Sequence, residues 1–436
     1  MALVNAHAQP ADTRVRDPED ECSGRRLGDS FSVVIKPIGP KCNLSCRYCY
    51  YLDKDRFYPN PHRFRMSDRL LEALTRDYIG AQRNRAEITF LWQGGEPTLL
   101  GRGFFRKALE FQRRYCPPGL RISNALQTNG TLLNQRWAAF LREHDFLVGL
   151  SIDGPRRLHD RYRVTRKGAP TFDAVMRALR LLRREQVAFN TLTVVHRANA
   201  RHGREVYRLL REEGVRFMQF IPLVERLGDG GGLAAPLAGP PAPNDTQTVA
   251  PWSVPAQGFG RFMCAVFDQW VRRDVGSIFV QLFDLQLGLW SGQPSTLCVH
   301  AETCGQAPAL EHNGDLYACD HFVYPGHRLG NIEERTIDEL ARLPRQRRFG
   351  QDKRDSLPPS CRVCAFLFAC NGGCPKHRFT PTPDGEPGVS YLCPSYKHFF
   401  AHAGPTMRVM AELLRAGRPP ALASEILRNA RPPARS

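Results

Sequence analysis

The distribution of cysteine constrains this chain more than any other feature. Fourteen cysteines occur in 436 residues, and eleven of them fall into two groups. Cys42, Cys46 and Cys49 share one short stretch, spaced C-x3-C-x2-C, whereas Cys298, Cys304, Cys319, Cys361, Cys364, Cys370, Cys374 and Cys393 crowd the last third. The first thirty residues are polar and lack the apolar core of a secretory signal, and no apolar run is long enough to span a bilayer. The chain is therefore expected in the cytoplasm without a membrane partner. Thiols stay reduced there, and clustered cysteines bind metal more often than they form disulfides. Cys22, Cys116 and Cys264 stand apart and read as small buried hydrophobes.

A chain of this length suggests about three domains, or one large barrel with an appendage. Candidate strands are Val33–Lys36, Ile88–Trp92, Ile122–Gln127, Leu147–Ile152, Phe189–Val195 and Phe217–Pro222. Amphipathic patterns predict helices near Ser67–Tyr78, Gly103–Tyr115, Asn134–His144, Thr171–Glu185, Arg201–Glu213 and Gly258–Arg273. Six alternations imply parallel strands with crossover helices, wrapped as an incomplete barrel with its chemistry at the C-terminal strand ends. Residues 1–30 read as a disordered leader and 31–290 as the barrel. Within it, the Gly-, Ala- and Pro-rich stretch 227–257 reads as a flexible insertion, and Phe279–Trp290 is expected to be helical. Residues 291–400 form a metal-held module and 401–436 a helical tail, with a pattern over Met407–Leu414. The net charge of +18 would suit nucleic acid. However, 53 of the 61 basic residues are arginines scattered over every helix, so no nucleic-acid partner is expected.

The first cysteine group follows the first strand directly. Three thiolates can hold three irons of a [4Fe–4S] cube, and the fourth iron then stays open to an exogenous ligand. The alternative is a structural zinc knuckle with a fourth ligand such as His62. Other strand ends carry Gln93-Gly94-Gly95-Glu96-Pro97, Gln127-Thr128-Asn129-Gly130 and Ser151-Ile152-Asp153-Gly154. The two glycines permit close backbone approach. Asn129, Ser151 and Asp153 can bond a ligand or simply close Asx turns, and the Arg163 guanidinium suits a carboxylate. In the second group, eight thiolates make two four-cysteine sites, and the Cys361–Cys374 spacing fits a zinc ribbon or a ferredoxin-like cluster.

The cysteine triplet, with Tyr48 before Cys49, resembles the radical S-adenosylmethionine (SAM) superfamily, and Gly94-Gly95-Glu96-Pro97 matches its GGEP motif. The resemblance implies a partial (β/α)6 TIM-type α/β barrel and a SAM bound to the open iron of a [4Fe–4S] cluster. Reductive cleavage of that SAM gives a 5′-deoxyadenosyl radical. It places Tyr51, Gln93, Gly94, Gly95, Glu96, Asn129, Ser151, Asp153 and Arg163 near the cofactor. The second group resembles the SPASM iron–sulfur module. By that resemblance Cys298, Cys304, Cys319 and Cys374 hold one auxiliary [4Fe–4S] cluster and Cys361, Cys364, Cys370 and Cys393 the other, three clusters in all.

Segments such as Ile35-Lys36-Pro37, Cys49-Tyr50-Tyr51, Leu126–Thr131, Val148–Pro155, Cys319-Asp320, Arg328–Ile332 and Ser395-Tyr396-Lys397 look like anaerobic sulfatase-maturating enzymes. That family implies oxidation of a Cys or Ser in an unfolded or nascent sulfatase polypeptide to Cα-formylglycine. It also implies a low-potential flavodoxin- or ferredoxin-type electron donor, and Asp320 as the catalytic base. Desolvation beside the cluster is expected to raise the proton affinity of Asp320; the other reading is a carboxylate that accepts backbone N–H bonds there. Alternatives are a maturase that crosslinks a ribosomal peptide and a zinc-stapled binding protein. Mass spectrometry of the product separates formylglycine formation from crosslinking, and anaerobic metal and sulfide analysis separates either enzyme from the zinc protein. Three cubes give a brown, oxygen-sensitive protein with about twelve irons per chain, whereas the binding protein is colourless and holds zinc.

Overall fold

The computed structural model describes residues 31–58, 64–82, 85–228, 239, 248–382 and 384–429. The leader, His62, Cys22 and most of the 227–257 insertion lie outside the described residues. At the edges of the insertion, Arg226 and Val249 form an antiparallel bridge.

The first half alternates as its periodicity predicts. β1 (Val34–Lys36) leads to α1 (Asp68–Ala81), β2 (Glu87–Trp92) to α2 (Gly101–Tyr115), and β3 (Arg121–Thr128) to α3 (Gln135–Glu143). After β4 (Phe146–Ser151) come a single turn, α4 (Arg156–His159), and α5 (Phe172–Arg184). β5 (Phe189–Val195), α6 (Gly203–Glu212), β6 (Phe217–Pro222) and α7 (Gly258–Arg273) follow. Helix starts are set locally: the Ser67 side chain accepts from Leu70 N, and Asn134 from Trp137 N, each satisfying an orphan N–H of a first turn. The Phe279–Trp290 segment divides into a two-residue strand, β7 (Phe279–Val280), and α8 (Gln281–Trp290).

β1 to β6 pair in parallel in chain order. Outward residues such as Ile88, Phe90 and Trp92 join the main core under the helices. Inward residues Val34, Leu91, Ala125, Leu147 and Leu192 form a separate, smaller apolar floor. Alternation puts every second residue on the same face. Lys36, Gln93, Gln127 and Ser151 therefore stand above Val34, Leu91, Ala125 and Leu147, as a polar rim at the C-terminal mouth.

The cysteine-rich part continues this sheet. β8 (Ala309–Glu311) pairs in parallel with β1, and β9 (Asp315–Tyr317) and β10 (Arg328–Asn331) extend the edge antiparallel. The sheet thus has ten strands, with β10 and β7 at its two ends and the barrel left open. Short helices α9 (Ile337–Ala341), α10 (Pro344–Asp355), α11 (Pro359–Arg362) and α12 (Leu367–Cys370) lead to α13 (Cys393–Arg415) and α14 (Ala423–Asn429). The pattern over Met407–Leu414 is the far end of α13, which runs unbroken across the expected boundary at 400 and packs on α7 and α8. No helix is long and apolar enough to cross a membrane among the described residues.

Trp92 is fully buried; its ring edge meets Phe104 and Phe105, and its indole N–H donates to Asn124 Oδ1 at 2.8 Å. Trp92→Ala should cost about 3–5 kcal/mol and lower the anaerobic unfolding temperature by several degrees, read by circular dichroism.

Candidate active site

The loop of the first cysteines leaves β1 and is seated by the end of β2. Gln93 N donates to Ile35 O, Gly95 N to Gly39 O and Glu96 N to Lys41 O, all at 2.8–2.9 Å. Gly94 has φ +119°, and a Cβ on Gly95 would stand 2.0 Å from the Lys41 carbonyl oxygen. The approach that these glycines permit is thus that of the cysteine loop itself. Glu96 closes the seat. It is fully buried and accepts from Thr98 N, Thr98 Oγ1, Thr128 Oγ1 and Asn129 N. Both carboxylate oxygens are spent on joining the ends of β2 and β3, so Glu96 acts as a clamp. These bonds place Glu96, which the resemblance sets near SAM, directly beneath the cysteine loop.

The segment after α4 fixes the other side of the loop. Ser45 N donates to Val164 O and Arg47 N to Tyr162 O, and Arg166 Nε donates to Cys42 O at 2.9 Å. Asn129 reaches Cys42 Sγ at 3.7 Å and Asn43 Oδ1 at 2.9 Å. Gln93 donates to Gln127 at 2.6 Å across the mouth. Ser151 closes β4 and is 6% exposed.

Asp153 lies beneath the loop with no exposed surface. It accepts from the Tyr48 hydroxyl at 2.5 Å, Arg163 Nε at 3.0 Å and Val194 N at 3.0 Å. Burial raises its proton affinity, but Arg163 and the two histidines His196 and His159 outweigh that, and the carboxyl sits below its ordinary value. Asp153 and Arg163, both expected as ligand contacts, are thus paired with each other. What they position is Tyr48, the aromatic residue before Cys49.

The three thiols sit close together and half-buried. Burial, and then Glu96, pushes Cys42 up to about 12; burial also pushes Cys46 to about 12 against the pull of Arg163, and it raises Cys49. Each of Cys42 and Cys46 feels the charge of Cys49. Ionised thiolates in this setting need a positive partner, which a metal group supplies. Among the described residues no three His, Cys, Asp or Glu side chains converge as one ion would require. Neighbouring thiols on one short loop suit a cube, which takes each cysteine on a different iron.

Tyr51 and Asp320 join the two cysteine groups. The Tyr51 hydroxyl donates to both oxygens of Glu311 on β8, at 2.6 and 2.8 Å, and the Lys36 ammonium stands 3.6 Å from its ring centroid. Tyr51, expected near the cofactor, is therefore engaged by the strand pair β1–β8. Asp320 forms an ion pair with Lys36 through Oδ1 and accepts from the Tyr50 hydroxyl at 2.8 Å through Oδ2. Burial raises its proton affinity, but Lys36 and then His321 more than reverse this, and the carboxyl lies well below the usual range. The expected raised affinity is thus corrected by a lysine that sequence spacing could not place. Lys376 lies 4.9 Å from the Tyr50 ring centroid and pairs with Glu225.

The eight later cysteines separate into two neighbourhoods. Cys298 and Cys374 act on Cys304 and on Cys319. Cys361 and Cys364 act on Cys370 and on Cys393. Burial is the largest influence at each of these four. Buried Lys353 donates to the carbonyls of Cys298 and Val299 and contacts that of Ala301. Arg378 bonds the carbonyls of Gly372, Lys353 and Asn371. Sequence reasoning missed Lys36, Tyr50, Glu311, Lys353 and Lys376. One signal was available: this chain has eight lysines against 53 arginines, and Lys36, Lys54 and Lys353 are each 1% exposed. A compact ammonium fits interior points that a guanidinium fork does not.

A model of the Radical SAM superfamily matches residues 37–210, and one of an iron–sulfur cluster-binding domain, SPASM, matches 303–365. The fold and the cysteine sites thus define a radical SAM enzyme with a SPASM module. The serine-type anaerobic sulfatase-maturating enzyme of Bacteroides thetaiotaomicron is 43% identical over 89% of this chain and 93% of its own. A cysteine-type enzyme of Clostridium perfringens is 34% identical over 86% and 97%. The solved structure of native anSMEcpe with bound AdoMet superposes with a TM-score of 0.74 at 33% identity, covering 87% and 99% of the two chains. The chain belongs to the anaerobic sulfatase-maturating enzymes. It is an iron–sulfur oxidoreductase that works with SAM and a [4Fe–4S] cluster, and its SPASM module carries further clusters.

Gly95→Ala should drive the loop off its seat. The expected outcome is loss of about four irons per chain and of SAM cleavage, with the remaining iron retained.

Proposed function

We propose that the chain oxidises a serine or cysteine of an unfolded or nascent sulfatase polypeptide to Cα-formylglycine. Cys42, Cys46 and Cys49 would hold the cluster that binds SAM. Cys298, Cys304, Cys319 and Cys374 would hold one auxiliary cluster, and Cys361, Cys364, Cys370 and Cys393 the other. When bound, SAM supplies a 5′-deoxyadenosyl radical, which takes one hydrogen atom from the substrate Cβ. Completing the oxidation also removes a proton from the side-chain heteroatom and one electron. A serine then becomes the aldehyde directly; a cysteine becomes a thioaldehyde, which water converts with loss of hydrogen sulfide.

The observation that carries this reading is the Lys36–Asp320–Tyr50 contact. Lys36 ends the strand that leads into the first cysteine group, and Asp320 follows a cysteine of the second. A carboxylate is therefore held ionised at the junction of the two groups, able to accept the substrate's proton. Lys36 and Tyr50 orient it, and Lys36 keeps it from taking a proton from solvent beforehand. Tyr48, Asp153 and Arg163 hold the cysteine loop, while Gln93, Asn129 and Ser151 line the mouth for SAM or substrate. A low-potential flavodoxin- or ferredoxin-type protein would deliver the initiating electron. The serine-type relatives, at 43% and 40% identity, are more similar than the cysteine-type one at 34%, which favours serine as the natural target.

Asp320→Asn should keep full iron and SAM cleavage while peptide oxidation falls at least about 100-fold, read by mass spectrometry of a sulfatase-derived peptide. Cys42→Ala should abolish 5′-deoxyadenosine formation. Serine conversion shows as loss of two hydrogens, cysteine conversion as loss of hydrogen sulfide with gain of oxygen. Wild-type rates in Asp320→Asn would refute the base assignment.

A further inference from the structure

The set formed by Cys361, Cys364, Cys370 and Cys393 lies near the protein surface. Val363, between the first two of these cysteines, is 85% exposed, and Phe368, before Cys370, is 43% exposed. Phe368 packs edge-on against Trp290 at 5.1 Å, and Arg408 covers the Trp290 ring at 5.3 Å. Apolar side chains left in water on a metal-bearing loop mark a contact surface more readily than scattered ones do.

A basic groove is lined in part by α13, the helix whose first residue is Cys393. α13 begins at Cys393, and α7 crosses it two residues later. There Gly260 N donates to Ser395 Oγ at 2.9 Å, and a Cβ on Gly260 would stand 2.3 Å from Ser395 O. Beside that crossing, α6, α7 and α13 enclose a groove of about 550 Å³ lined by Arg201, Arg204, Arg208, Arg261, His202 and His398. Its two acids are already engaged, Glu205 by Arg157 and Asp268 by His402. Arg201, Arg204 and Arg208 are exposed and have no carboxylate partner among the described residues. Lys397, also exposed, follows Cys393 on α13 and precedes the groove residue His398, and its charge reaches Cys361 and Cys393; Glu386 is the opposing charge near Cys361.

We propose that this surface docks a small acidic one-electron carrier protein, of flavin or iron–sulfur type. The carrier's acidic rim lies on the arginine groove, and Val363 and Phe368 make the apolar contact over the cysteine set. Substrate oxidation releases one electron and one proton after the hydrogen atom is taken. The carrier accepts the electron and is reduced by one, Asp320 takes the proton, and no bond forms at the interface. This rests on the proposed function, because it requires a redox group on those four cysteines. A groove of surplus arginine steers an acidic partner and loses that steering in salt.

The test is calorimetric titration of anaerobically reconstituted holoenzyme with an acidic flavodoxin, at low and at physiological ionic strength. Reversing Arg204, Arg208 and Arg261 to Glu should weaken binding at least about 30-fold at low salt and remove most of its salt dependence. Val363→Asp should weaken it about five-fold, with little change in salt dependence. Reversing Arg113, Arg136 and Arg177, on other helices, should leave affinity within about two-fold. All variants should keep wild-type iron content and dithionite-driven 5′-deoxyadenosine formation. Unchanged affinity in the groove variant, or equal weakening in the distant one, overturns the proposal. So does arginine-dependent binding of single-stranded RNA with no binding of flavodoxin. Failure of dithionite-driven holoenzyme to make formylglycine refutes the proposed function and is scored separately from binding.

Discussion

β1 is three residues long, and the rest of the molecule depends on what pairs with it. Val34 is in register with Leu91 of β2 on one side and with Ala309 of β8 on the other. The first partner belongs to the barrel, and the second opens the cysteine-rich part. Lys36 and the loop to Cys42 leave the C-terminal end of this strand. The same register therefore sets where the first thiols stand and how far away Asp320 lies. A slip of one residue would turn Lys36 outward and Ile35 into the mouth. The ion pair with Asp320 and the contact with Tyr51 would both be lost.

Around that strand, acidic residues serve mainly to brace. Glu96 joins two strand ends, Asp153 holds Tyr48 and Arg163, and Glu311 holds Tyr51. Each is fully buried and multiply bonded, so each carboxylate is satisfied by the chain. This places rigidity in the shell that carries the thiols. Asp320 is the exception. It is partly exposed, tethered to side chains rather than to backbone, and in reach of the space between the two cysteine groups.

Much of this architecture was legible because it is local. Alternation of two in Ile88–Trp92 and of three to four in Leu70, Leu71, Leu74 and Tyr78 located strands and helices to within about three residues. The cysteine spacing announced the metal chemistry. What remained hidden is what sequence distance hides. Lys36 and Asp320, or Tyr51 and Glu311, lie more than 250 residues apart and meet only because β8 returns to β1. The glycines of the second strand end signal close backbone approach, and the nearest objects are the Gly39 carbonyl at Gly94 and the Lys41 carbonyl at Gly95. Spacing shows that close approach is needed; only the fold shows what approaches. The scarcity of lysine was a usable clue, because half of these residues carry their charge into the interior or the mouth.

α13 has a meaning beyond packing. Its first residue is a proposed metal-bearing cysteine, and its body then lies along the outside of the barrel against α7 and α8. The proposed metal set and the outer packing of the barrel thus share a single rod. The leading turn of that rod is also tied to α7 by the bond from Gly260 N to Ser395 Oγ, so a shift at the proposed metal set would be passed directly to the outer layer of the barrel.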